Sequence, residues 1–163
     1  MPKKATAADA ELILKLYELR REPELRKARS WWMNEFWPQS ADDFVKVAMS
    51  FPGQENQWMR QGATYWEMAA TLVISGALHE QLFLHPSCSG EMFFCFAKVQ
   101  PYVKEFRQKL NASDAFENTE KLVMKTRWGV SIPSYCGIGL AAFLKRSVLS
   151  QRAWGRYLRP RSC

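Results

Sequence analysis

Histidine is almost missing from this chain: His79 and His85 are the two in 163 residues. That scarcity excludes most zinc and di-iron chemistry at once. A metalloprotease helix needs a second histidine one turn after the first, so that both rings face one metal. In His79-Glu80-Gln81-Leu82-Phe83 that place holds Phe83. A di-iron bundle needs Glu-x-x-His on two facing helices, a spacing found nowhere here. His85, Cys88 and Cys95 lie near one another in the chain, but Pro86 interrupts them and no Cys-x-x-Cys pair supports them. Buried thiols and a surface histidine are the expectation, with no metal and no cofactor. The phosphate loops GxxxxGK[ST] and GxGxxG are also missing, Gly137-Ile138-Gly139 being only a fragment of the second.

Other absences bound the class. No uninterrupted apolar run approaches the roughly 18 residues of a membrane-spanning helix. No segment alternates as a strand does, and there is no internal repeat or low-complexity tract. The sequence opens on Lys3-Lys4 and a polar stretch, without the apolar core of a signal peptide. A cytoplasmic, reducing setting is therefore expected, in which Cys88, Cys95, Cys136 and Cys163 behave as small apolar groups. Acid is absent from residues 127–163, which carry seven Lys or Arg; residues 1–126 carry sixteen basic and sixteen acidic residues. The net charge of +7 therefore belongs to the tail and not to the body.

What the chain has in quantity is helix-period hydrophobicity and aromatic rings, seven of them tryptophan. Gln57, Arg60, Gln61, Thr64, Glu67, Thr71 and Ser75 recur at three and four along residues 56–76. They trace one narrow polar stripe on a helix whose remaining circumference is apolar or small, which predicts a buried central helix. Around it the capping and periodicity signals predict helices over 7–22, 23–37, 41–51, 89–110 and 114–126. Thr6 with Asp9 and Ser40 with Asp43 read as capping boxes. Gly76 reads as a left-handed C-cap, with one or two further turns in 77–85. Ser87 or Ser89 is the expected cap of the helix that follows Pro86, and Pro101 is expected to kink or split that helix. The fold class is all-α, a bundle of six or seven helices. Residues 1–128 form the bundle. Residues 129–163 form a glycine-rich linker and a basic amphipathic helical tail near 139–158.

The runs PELRKAR (23–29), WEMAATLVISGAL (66–78) and PYVKEFRQ (101–108) occur in that order. In this pattern of apolar and small positions the segment from Pro23 to about Lys125 resembles an uncharacterised family of bacterial all-helical proteins, a domain of unknown function. The resemblance implies a helical bundle and carries no activity to transfer.

Two carboxylates are candidates for catalysis. Glu67 lies in the most apolar helix and Glu35 lies beside the Trp31, Trp32 and Trp37 cluster. A buried carboxyl must be paired, wet or raised in pKa, and ion-pair networks imitate active sites, so a structural role comes first for both. Successive residues step about 100° around a helix, so Trp31, Trp32 and Trp37 are not expected to share one direction. At least one should face solvent, a partner or a ligand, and the basic run Arg26, Lys27 and Arg29 beside them could serve base stacking. In the tail, Arg146, Arg152, Trp154, Arg156 and Arg159 are the candidate contacts to an acidic protein, an anionic membrane or nucleic acid, unless the tail packs on the bundle. The leading expectation is a non-enzymatic helical interaction or regulatory module that self-associates as a homo-oligomer. An enzyme using Glu67 or Glu35, and an adaptor working through the tail, are the alternatives.

Overall fold

A computed structural model describes residues 4–126; the basic tail lies outside the described residues. Among the described residues there are seven helices and no strand: α1 (Ala7–Leu19), α2 (Pro23–Asn34), α3 (Ala41–Met49), α4 (Gln54–Ile74), α5 (Glu80–Phe83), α6 (Pro86–Leu110) and α7 (Glu117–Met124). The predicted all-α class is right, and the predicted spans match within a few residues.

Local signals explain most boundaries. The Thr6 hydroxyl accepts from Asp9 N–H while the Asp9 carboxylate accepts from Thr6 N–H at 2.8 Å, a complete capping box. At α3 the box is looser: Ser40 caps Asp43 N–H, but the Asp43 carboxylate accepts at 2.9 Å from Gln39 N–H. Gly76, with φ of +76°, ends α4 in the left-handed conformation that glycine adopts without strain. One expectation fails at α6, and another is narrowed. Its cap is His85, whose ring accepts from Ser87 N–H, with Pro86 in the first helical position; neither Ser87 nor Ser89 is the cap. Of the kink or split expected at Pro101, the split does not occur, since the helix runs through Pro101 as one element.

α4 packs against α2, α3 and α7, but it is not sheathed on all sides. Met59, Gly62, Tyr65, Trp66, Ala69, Ala70 and Val73 are buried, and every member of the predicted polar stripe except the half-buried Glu67 is exposed. Met68 and Ile74 are exposed as well. The apolar arc is thus narrower than its composition implied, and one flank of α4 meets solvent.

The core lies where α2, α4 and α6 converge. Gly62 lets the Trp32 indole rest on the α4 backbone, and its Nε1–H donates to Trp58 O at 3.2 Å. Trp31 and Trp32 are both buried, at 3% and 2% exposed. Two neighbours on a helix can both be inside when it is flanked on two sides, as α2 is by α4 and α6. Trp31 stacks on Phe36 at 4.6 Å, and Phe36 leads through Phe44 to Phe106, stacked at 4.1 Å, and to Phe116. This aromatic line joins α2, α3, α6 and the approach to α7. Helix α1 rests more lightly, with Asp9 and Leu16 as its buried residues.

A Cβ added at Gly62 would stand 2.3 Å from Trp32 Nε1. Gly62→Ala is therefore expected to lower unfolding free energy by about 1–3 kcal/mol, the ordinary cost of overpacking, despite alanine's better helix propensity. Urea denaturation of the two proteins measures it.

Candidate functional site

Glu67 is occupied by the fold. Its Oε1 accepts from Asn118 N–H at 2.7 Å, and its Oε2 accepts from Thr119 N–H at 3.0 Å and from the Thr119 hydroxyl at 2.8 Å. These amides are at the second and third positions of α7, whose own N-cap, Phe116, has φ of 60° and offers no capping side chain. A carboxylate from another helix thus does what a local Ser or Asp normally does, and it is well placed at the positive end of the α7 dipole. Glu35, by contrast, is exposed at the C-terminus of α2. The expectation of either carboxylate in a closed helical pocket is not met by this geometry.

The predicted interaction tryptophans separate. Trp31 and Trp32 are core residues and offer no surface. Trp37 is half-buried, and its Nε1–H donates to Asn34 O at 3.2 Å. The basic run before them is also engaged. Arg29 makes a two-point pair with Glu91, at 2.7 and 2.5 Å, which raises its pKa further. Lys27 pairs with Glu24, and Arg26 donates to Arg21 O. Arg146, Arg152, Trp154, Arg156 and Arg159 lie outside the described residues. His85 and Cys88 begin α6 while Cys95 is buried, its thiol pushed up to about 12 by burial. Among the described residues no group of three His, Cys, Asp or Glu is placed to hold a metal.

Sequence reasoning missed Lys98. It is buried, and its ammonium donates to three carbonyls at the end of α2: Trp32 O, Met33 O at 3.1 Å and Phe36 O at 3.3 Å. It also sits 3.7 Å from the centre of the Trp37 ring and 4.7 Å from that of Phe94. One ammonium thus satisfies the carbonyls that a helix end leaves without partners and sits at the negative end of the dipole. Burial lowers its pKa to about 8. Only its place in the helix 89–110 was legible, because which carbonyls it meets is a property of how α6 crosses α2.

On the outer side of Trp37 lies a surface cleft of about 260 Å³. One wall is Phe36, Trp37 and Pro38; the other is Asp43, Lys46, Val47 and Ser50, with Glu55 from the first turn of α4. The α3 residues recur at i, i+3, i+4 and i+7, so one helix face is turned to the indole. Trp37 is a fixed wall, held by its N–H bond, by Lys98 against its ring and by edge contact with Phe94 at 5.9 Å. Two large apolar side chains flank Ser50 in the chain: Met49 is 67% exposed and Phe51 is 72% exposed. A second, small pocket of about 10 Å³ beside Gly62 and Trp66 is lined almost wholly by apolar atoms and has room for about one water.

The chain belongs to a family whose domain has no known function. Residues 5–128 match the family described as a domain of unknown function (DUF4760), so α1 belongs to the family unit along with the segment from Pro23 onward. Comparison with curated proteins and with solved structures found no match. No described helix is long and apolar enough to cross a membrane.

Two substitutions test the buried polar groups. Glu67→Ala is expected to cost about 1–2 kcal/mol, the usual cost of a lost cap, and to speed amide exchange in α7 ahead of the other helices; Glu67→Gln, which keeps one acceptor, should fall between. Lys98 is expected to make stability depend on pH. Its folded pKa of about 8 lies below the ordinary lysine value of about 10.4. Between those values the folded chain binds fewer protons than the unfolded chain, so stability from this group rises with pH. The stability deficit of Lys98→Met relative to the parent should therefore be larger at pH 10 than at pH 7.5, as read by denaturant titration.

Proposed function

We propose that this chain is a non-catalytic helical interaction module that self-associates, acting in the cytoplasm of a bacterium. The observation that supports it is the outer face of α1. Ala10, Ile13, Leu14 and Tyr17 fall at i, i+3, i+4 and i+7, a second apolar stripe beside the one that α1 turns to the bundle. Leu14 is 63% exposed and Tyr17 is 54% exposed. Burying such side chains against a second copy contributes roughly 1.5–3 kcal/mol each, and a two-fold pairing uses the same stripe twice. The self-association expected of Trp31 and Trp32 is thus moved to α1, since those rings are spent inside.

The enzyme reading has no comparable support, because the oxygens of Glu67 are consumed by α7 and Glu35 stands in the open. A second reading rests on charge. Seven basic residues and no acid in residues 127–163 favour an adaptor that meets an anionic membrane, nucleic acid or an acidic protein. It is compatible with self-association by α1.

Light scattering across a concentration series tests the first reading. The expected result is a molar mass that rises with concentration for the full chain and for a 1–128 truncation. Leu14→Glu should weaken the association by about tenfold or more, since about 1.4 kcal/mol suffices for that. A strict monomer at high concentration overturns it. Co-sedimentation with anionic liposomes or DNA, comparing the two lengths of chain at low and high salt, tests the second.

A further inference from the structure

The cleft beside Trp37 gathers charges of both signs against an apolar wall. Several charges elsewhere are paired, Asp42 with Lys109, Arg107 with Glu120 and Lys121 with Glu117. In the cleft Glu55 makes no hydrogen bond or ion pair with another described residue, and Lys46 makes no direct one, its charge acting on Asp43 only from a distance; both are exposed. Asp43 gives one oxygen to Gln39 N–H. Bonds from Gln39 and Ser40 hold its carboxyl below the usual range, so it is ionised at neutral pH. The cleft therefore presents one ammonium, two carboxylates and an apolar wall of Trp37, Phe36, Pro38 and Val47.

We propose that this cleft binds a small zwitterion with an apolar body, of the class of an aromatic or branched α-amino acid. Lys46 receives the ligand carboxylate, Glu55 and Asp43 receive its ammonium, and its apolar part lies on the Trp37 indole. The volume suits a molecule of that size and is below that of a drug-sized ligand site, which runs to several hundred Å³. Two features argue for both charges together. A plain cation would leave Lys46 unpaired beside it, and a plain anion would meet Asp43 and Glu55. The wall is already rigid, so binding does not have to order it. Sites of this kind discriminate chiefly through the polar group that a wrong ligand leaves unmatched.

The proposal does not depend on self-association, because it uses residues of α3, α4 and the α2–α3 connection and none of α1. The test is titration of the full chain with L-phenylalanine, 3-phenylpropionate and phenethylamine, followed by the indole N–H and backbone amide resonances. The Trp37 signal is assigned through Trp37→Phe. Expected are saturable shifts for L-phenylalanine confined to residues around 36–55, with each singly charged analogue weaker by about tenfold. Lys46→Met should remove the advantage over phenethylamine, and Glu55→Gln should remove the advantage over 3-phenylpropionate. Both residues are exposed, so the fold is expected to tolerate the changes, and the unchanged dispersion of remote amides verifies this. Either singly charged analogue binding as well as the amino acid, or no saturable shift at millimolar concentrations, overturns the proposal.

Discussion

The approach of α2 to α4 is the contact on which the remaining geometry rests. Where α2 crosses, position 62 carries no side chain, and the Trp32 ring lies against the bare backbone of α4. Because that ring goes deep, Trp31 is carried inside with it, and the end of α2 is drawn between α4 and α6. Phe36 then meets Phe44, and Phe44 meets Phe106, so α3 and α6 take their places from the same contact. Trp37, next along the chain, comes out at the surface as the wall of the cleft.

Bringing α2 inside creates a problem that Lys98 answers. The end of a helix leaves carbonyls without donors, and here water is kept away from them. An ammonium from α6 takes three of those carbonyls and gains the rings of Trp37 and Phe94. Glu67 is the mirror case at α7, where amides without acceptors meet a carboxylate. In both places an ionised side chain satisfies backbone groups of a different helix, and the bond also pins one helix to another. Charged groups inside a small domain are usually the first suspects for catalysis. Here Lys98 and Glu67 are mortar between helices, which turns attention to Lys46 and Glu55 of the α3 cleft, exposed and without a direct ion pair among the described residues.

The division of polar groups bears on function. A family unit of about 120 residues that spends its inner charges on helix ends keeps its adjustable chemistry at the surface. The outer stripe of α1 and the Trp37 cleft lie on separate elements, so a contact made by one leaves the other open to act. That arrangement fits a module in which ligand and partner are received at different places.

The all-α class, most helix spans and the identity of most core positions were determined by the sequence alone, because periodicity and capping act within a few residues of the chain. The Thr6–Asp9 box and the Gly76 terminus were legible for that reason. Tertiary structure alone decided which side of α4 stays wet, why adjacent tryptophans are both inside, and what Glu67 and Lys98 do. Each depends on a partner on another helix, 26 residues away for the Trp32 indole and more than 50 for Glu67 and Lys98, and contacts of that span leave no periodic trace in the sequence.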